Sequence, residues 1–173
     1  MSTRKEWLQK KGSLLLDIFN TPIGYLSVFY ILNSDGSVVL TKIRIGDVLD
    51  YENIKRHSLP NEVRSQFFEY LEGTRKEFEV QYAPAGTRFD KKVWQTLKKI
   101  PYGQTRTYQW LAEEVGSPKG ARAVGGSLSR NPLPIIIPCH RIICSDGSLG
   151  GYSSGIQIKK RLLEIEFYNS VQP

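Results

Sequence analysis

Cys139 and His140 stand side by side in the run Pro138-Cys139-His140-Arg141-Ile142. A thiol beside an imidazole is the beginning of a nucleophile, because only the thiolate attacks well and it needs a base or a positive charge within reach. The run follows an apolar segment, residues 133–137, broken by Pro134. Adjacency is not contact. Neighbouring side chains on a strand point to opposite faces, so His140 reaches Cys139 only through a turn or a bridging water. The other reading of the pair is a small buried cysteine beside a surface histidine. Cys144 has no adjacent histidine and is the poorer acceptor candidate.

The rest of the chain limits what such a thiol can be for. Two cysteines cannot build a secreted disulfide framework, and they lack further soft ligands at metal spacing. A reducing, intracellular and cytoplasmic setting is therefore expected, beside the nucleoid if the cell is prokaryotic. The start, residues 1–12, is charged and reads as no signal peptide, and no apolar run is long enough to span a membrane. The net charge is +7, unevenly spread. Residues 1–86 carry 11 Lys/Arg and 11 Asp/Glu, whereas residues 87–173 carry 13 and 6. The entire excess lies in the second half, which suits a polyanion such as nucleic acid; solubility alone is the competing explanation.

The elements that must position the pair follow from periodicity. Residues 14–19, 25–32 and 38–45 read as strands separated by Asn20–Gly24 and Asn33–Gly36 turns, an antiparallel meander. Asn61 is placed to cap a helix to about Glu72, with Val63, Phe67, Phe68 and Leu71 near one stripe and Gly73 ending it. Residues 84–88 form the expected linker between a first domain, 1–83, and a second, 89–173. Phe89, Val93, Trp94 and Leu97 give a helical period. Thr107 can cap a second helix to Val115. Ser117-Pro118 suits the start of a third, running to about Ser129. Two short helices joined by a tight turn suggest a helix-turn-helix. Asp146-Gly147 and Gly150-Gly151 suggest a short hairpin or wing, and Ser154 and Gln157 have capping-box spacing before a last helix to about Glu166. In the third helix Arg122 stands among Ala121, Ala123, Gly125 and Gly126. Glycines cost helix stability. What they permit is close approach, either of DNA or of another helix.

The run Ala121–Gly126, then Asn131-Pro132, then Pro138–Ile143, then Gly151-Tyr152-Ser153 resembles the O6-alkylguanine-DNA alkyltransferases, the methylated-DNA–protein-cysteine methyltransferases of direct-reversal repair. The resemblance covers roughly residues 87–168. It implies an α/β plus α fold: a small ribonuclease-H-like α/β domain, then a winged helix-turn-helix domain carrying the reactive cysteine. It implies that Cys139 accepts an alkyl group from guanine O6 in double-stranded DNA, in one irreversible displacement that consumes the protein, with no metal or other cofactor. By the same resemblance His140 takes the thiol proton through a water and Glu166 orients His140. Asn131 ties the helix-turn-helix to the active-site turn, and Tyr108 donates to guanine N3. The carbonyls of Cys139 and Ile142 accept from the exocyclic amine, the Ser153 amide donates near O6, and Pro134 and Tyr152 line the alkyl pocket. Arg122 would replace a flipped nucleotide in the duplex, with Ala121, Ala123, Gly125 and Gly126 allowing close minor-groove approach. A monomer is expected.

Some relatives hold zinc in the first domain through cysteines and histidines. Here that half has no cysteine and only His57, expected to be solvent-exposed. A non-catalytic helix-turn-helix DNA-binding protein is the second reading, and a cysteine hydrolase the third. The former does not explain Pro138–Arg141 together with Glu166, and the latter needs an acyl intermediate that turns over, whereas alkylation of Cys139 is expected to be irreversible.

Overall fold

Alternating β-branched and aromatic residues draw the first part of the chain into a meander, as the turn signals predict. The computed structural model describes residues 13–46, 48 and 51–171; the charged start read above, residues 1–12, lies outside the described residues. Strands β1 (Leu14–Thr21), β2 (Gly24–Leu32) and β3 (Val38–Gly46) pair antiparallel, with a bulge between Phe29 and Tyr30. Two short strands, β4 (Lys55–Arg56) and β5 (Gln81–Tyr82), add parallel to β1 and β3, giving the order β4-β1-β2-β3-β5. Neither short segment has a periodicity that a sequence reading can find. Leu26, Val28 and Tyr30 of β2 are fully buried. His57 is exposed as expected, with its Nδ1 2.7 Å from the Tyr30 hydroxyl.

Helix α1 (Asn61–Glu72) packs on this sheet through Phe67, whose ring meets Phe19 edge to face at 5.9 Å, and Tyr70 and Leu71 are buried as well. Burying a side chain such as Phe67 contributes about 1.5–3 kcal/mol. Pro60 occupies the cap position and no side chain caps the helix, so Asn61 is its first residue and not its cap. Proline's fixed φ suits the entry to a helix, which shifts the start by one residue. Gly73, at φ 83°, ends the helix as read.

The second half is helical. Helix α2 (Arg88–Leu97) opens on a reciprocal capping box, in which Thr87 Oγ1 accepts from the Asp90 amide and Asp90 Oδ2 accepts from the Thr87 amide, both at 3.1 Å. Strand β6 (Arg106–Thr107) runs into helix α3 (Tyr108–Glu114), capped by Thr107 as predicted. Helix α4 is Ala121–Ser129 and begins after Gly120 without a side-chain cap; the Ser117-Pro118 pair lies in the preceding turn. That turn closes through Gly120 N to Ser117 O, 2.7 Å, which delays the helix by three residues relative to a Pro118 start. A single 3₁₀ turn, Cys139–Arg141, leads to β7 (Ile142–Ile143). Helix α5 (Ile156–Ser170) follows Gly155 with no side-chain cap, so the Ser154/Gln157 box does not form.

The expected hairpin after Cys139 is also different. Strand β7 pairs in parallel with β6, Arg106 opposite Ile142 and Thr107 opposite Ile143, while Asp146-Gly147 forms a tight turn closed by Cys144 N to Ser148 O at 2.8 Å. This parallel pair brings the first residue of α3, Tyr108, beside the segment that carries Cys139.

One hydrophobic core runs through both halves, from Leu15 to Ile165. Polar links cross between them as well. The Ile43 amide of β3 donates to the Pro132 carbonyl at 2.7 Å. Among the described residues no helix is long and apolar enough to cross a membrane.

Candidate active site

The segment from Asn131 to Arg141 is held as a compact bend. Asn131 Oδ1 accepts from the Leu133 amide at 3.0 Å, while its Nδ2 donates to the Ile137 carbonyl at 2.8 Å and to Cys139 Sγ at 3.1 Å. One buried amide thus fixes the turn and touches the sulfur. Ile135 sits in this bend at φ 77°, a left-handed conformation that a β-branched residue rarely adopts. It is 2% exposed, so packing on every side holds it there. The 3₁₀ turn directs Cys139 and His140 to different surroundings.

Cys139 faces a cavity of about 410 Å³. Its lining includes Tyr108, Gly125, Leu128, Gly151, Tyr152 and Ser153. Of the residues expected around a guanine or alkyl group, Tyr108, Tyr152 and Ser153 therefore line the thiol's pocket. Pro134 is buried in the preceding bend, outside that lining. The Ile142 carbonyl accepts from Lys159; a carbonyl oxygen has a second lone pair to offer. Gly150, at φ 67°, leaves room for the Tyr108 ring: an added Cβ would lie 3.1 Å from the phenol oxygen and equally close to Cys144 Sγ.

His140 points away into the core. It is fully buried, with Nε2 2.6 Å from Glu166 Oε1. Glu166 is itself fully buried and gathers donors from three other places. Arg141 Nε lies 2.9 Å from Oε2 and its Nη2 3.0 Å from Oε1. The Gly103 amide donates to Oε2 at 3.0 Å, and the Tyr70 hydroxyl donates to Oε1. Gly103, at φ 77°, can come this close because a side chain there would strike Ser170 at 2.5 Å. Arg141 completes the cluster by donating from Nη1 to the Ile100 carbonyl at 2.6 Å.

The electrostatics assign the protons. Burial alone would push the Glu166 carboxyl up, but His140 and Arg141 overcome it and hold the pKa down at about 2. Glu166 is therefore a carboxylate at neutral pH and only accepts. Burial lowers the His140 pKa, against the pull of Glu166, so the ring is neutral. Its proton must then sit on Nε2, facing the carboxylate, and Nδ1 carries the lone pair. That Nδ1 is buried and has no hydrogen-bond partner among the described residues. Burial raises the Cys139 thiol, opposed by the Asn131 amide and the positive charge of Lys159. The resting sulfur is accordingly a thiol, and a base must take its proton before it can attack.

Lys159, Tyr70 and Arg141 were not among the residues picked out from sequence. Lys159 is fully buried on α5 and donates to the carbonyls of Ile142 and Leu149. It shares the inward stripe of α5 with Leu162 and Glu166, at spacings of three and four residues, which is the one local signal that could have found it. Arg141 was quoted in the motif but given no task.

Helix α4 presents a different surface. Arg122 and Ala123 are exposed, whereas Ala121, Gly125 and Gly126 are half-buried. Its inner face is fastened by Trp94 Nε1 donating to the Ser127 carbonyl at 3.0 Å. At its end Arg130 Nη2 meets Asp90 Oδ1 at 2.7 Å, holding that carboxyl well below the usual range. Among the described residues no cluster of three or more His, Cys, Asp or Glu side chains could hold a metal ion.

The model of the 6-O-methylguanine DNA methyltransferase DNA-binding domain matches residues 88–167. A methylated-DNA–protein-cysteine methyltransferase of Mycobacterium leprae is 45% identical over 152 residues, covering 85% of this chain and 88% of that one. The chain belongs to the methylated-DNA–protein-cysteine methyltransferase family. A member from Methanosarcina acetivorans is 51% identical over 105 residues, 61% of this chain and 67% of its own length. The crystal structure of Mycobacterium tuberculosis OGT in complex with DNA superposes with a TM-score of 0.78 at 37% identity, covering 90% of this chain and 94% of that chain. Family membership thus spans both halves, and the mixed α/β architecture is shared with those solved structures.

Proposed function

We propose that this methyltransferase repairs DNA by direct reversal, taking the alkyl group of O6-alkylguanine onto Cys139. The observation that carries the reading is the polar chain Cys139–Asn131 on one side and His140–Glu166–Arg141 on the other, joined at adjacent residues of one 3₁₀ turn. His140 Nδ1 takes the thiol proton, through a water that bridges the two side chains. The thiolate attacks the alkyl carbon, the S–C bond forms as the C–O6 bond breaks, and the electron pair leaves on the guanine. Tyr108 donates to the purine as that charge grows, and the Ser153 amide serves O6. Asn131 and the buried charge of Lys159 stabilise the sulfur before attack. The thioether has no leaving group to regenerate the thiol, so each molecule acts once.

O6 is enclosed in paired DNA, so the nucleotide must be extruded into the cavity beside Cys139. Exposed Arg122 and the small residues around it on α4 fit a helix that lies close to the duplex and fills the gap. We read residues 89–173 as a winged helix-turn-helix domain built on α3 and α4, residues 1–83 as a ribonuclease-H-like α/β domain and 84–88 as their linker. The protein works as a monomer in a reducing, DNA-containing compartment.

Incubation with an O6-methylguanine oligonucleotide followed by intact and peptide mass analysis tests the chemistry. One methyl group per protein on Cys139, with guanine left in the strand, is expected, and Cys139→Ser should carry none. Methyl on Cys144, or release of free base, would overturn the mechanism.

A further inference from the structure

Apolar contact sets how deep a helix lies, but it is not directional. Helix α4 buries Val124 and Leu128, and hydrogen bonds, which are directional, fix its rotation and tilt. Two such fasteners come from α2, and both grip the C-terminal end of α4. Trp94 donates to the Ser127 carbonyl. One turn earlier on α2, Asp90 takes the guanidinium of Arg130 by two edges, Nη2 to Oδ1 at 2.7 Å and Nε to Oδ2 at 3.4 Å.

Asp90 does more than balance a charge. It is 2% exposed, and its Oδ2 also accepts from the Thr87 amide and from Thr87 Oγ1, the latter at 2.8 Å. The preceding Gly86 lies flat on the same place: an added Cβ would stand 2.5 Å from the Trp94 ring and 3.1 Å from Asp90 Cβ. The Arg130 side chain is 58% exposed and passes over Gly126, where an added Cβ would stand 3.3 Å from Nη1. One buried carboxylate therefore joins the segment entering α2 to the end of α4. Directly after Arg130 comes Asn131, whose amide touches Cys139 Sγ. Arg122 lies about 12 Å away along the axis, at the uncapped end of α4. The clamp sits beside the thiol, so a small rotation there becomes a larger displacement at Arg122.

We propose that Asp90 is a positioning residue for duplex repair: through Arg130 it fixes the orientation of α4, so that Arg122 and the pocket of Cys139 address the same nucleotide. A free O6-substituted guanine needs only the pocket, whereas a lesion in paired DNA needs both in register. The inference rests on the reading of α4 as the helix that meets DNA.

Single-turnover rates on an O6-methylguanine duplex and on free O6-benzylguanine, with Tm measured beside them, test this in Asp90→Asn, Arg130→Gln and Arg130→Lys. Asp90→Asn and Arg130→Gln should each lose about tenfold on the duplex and less than about twofold on the free base, since only the duplex demands the full alignment. The double variant should lose no more than either alone, because both changes break one contact. Arg130→Lys keeps the charge without the fork and should recover part of the duplex rate. The rival role for Arg130 is a phosphate contact of its own. Asp90→Asn, which frees the guanidinium, would then spare or quicken duplex repair, and Arg130→Gln would lower the salt slope of duplex binding by about one; either result overturns the proposal. Equal losses on both substrates, or additive losses in the double variant, overturn it as well. Arg122→Ala separates the two readings. If it spares duplex repair, the assignment of α4 fails; if it slows duplex repair while Asp90→Asn does not, the positioning role alone fails.

Discussion

The core side of Cys139 and the side formed by α4 are built on opposite plans. Behind the thiol, His140, Glu166, Arg141 and Tyr70 are buried and tied to one another. In front, on α4, Arg122 and Ala123 face solvent and the helix begins without a side-chain cap. The proton relay proposed above needs fixed distances and a low dielectric, which burial among hydrogen-bonded neighbours supplies. A surface that must meet a second molecule needs side chains that are not already committed. The same turn therefore joins a region where substitution strikes the fold to one where it strikes recognition.

The sharpest way to break that contrast is Glu166→Ala. It leaves the Arg141 guanidinium buried without its counter-charge, and a loss of about 3–5 kcal/mol is expected. Urea denaturation measures it; a change below ~1 kcal/mol would mean that the cluster adds little to the fold. Tyr70→Phe removes one donor from a carboxylate that keeps several others. A loss of about 1.5–3 kcal/mol is expected, with slower alkyl transfer.

Acid should expose the same asymmetry. The Glu166 pKa is depressed in the folded state, from 4.5 to about 2. Its contribution is therefore fully present above pH 4.5 and disappears as pH falls from there through about 2. Thermal melts across that interval should show a slope that is absent in Glu166→Gln. An identical slope in the variant would assign the acid sensitivity to other carboxylates.

Arg122→Ala sits at the other end of the scale. A stability change within about 0.5 kcal/mol is expected for an exposed residue. Repair of duplex DNA should nevertheless fall more than reaction with a free O6-substituted guanine. Equal losses on both substrates would make Arg122 a structural residue and erase the distinction between the two sides.

Much of this was readable in the chain because it is local. Strand alternation, the α2 period and the Thr107 cap depend on residues a few positions apart, and they fold as read. The apolar run before Cys139, read as strand-like, is instead a bend with Ile135 at φ 77°, followed by a 3₁₀ turn. What escaped was non-local or depended on competition. Tyr70 and Glu166 are 96 residues apart, and no pattern in either neighbourhood announces the other. Asn61, Ser117 and Ser154 are good capping residues whose places were taken by Pro60, Gly120 and Gly155. Backbone turns settled those starts, and sequence propensity cannot weigh a turn against a cap. The pairing of β6 with β7 was missed because two-residue strands have no period.

The Tyr70–Glu166 hydrogen bond also bears on how far the reactive centre is transferable as a module. Residues 88–167, the matched stretch, contain the nucleophile, base and acid proposed above, yet a hydroxyl bonded to the proposed acid comes from α1. The Pro132 carbonyl, next to Asn131, is likewise engaged by β3. Grafted onto a foreign partner, that stretch would keep every reacting atom and lose part of what holds them still. The sheet half is thus less an appendage than a built-in chaperone for the geometry of a reaction that each molecule performs once.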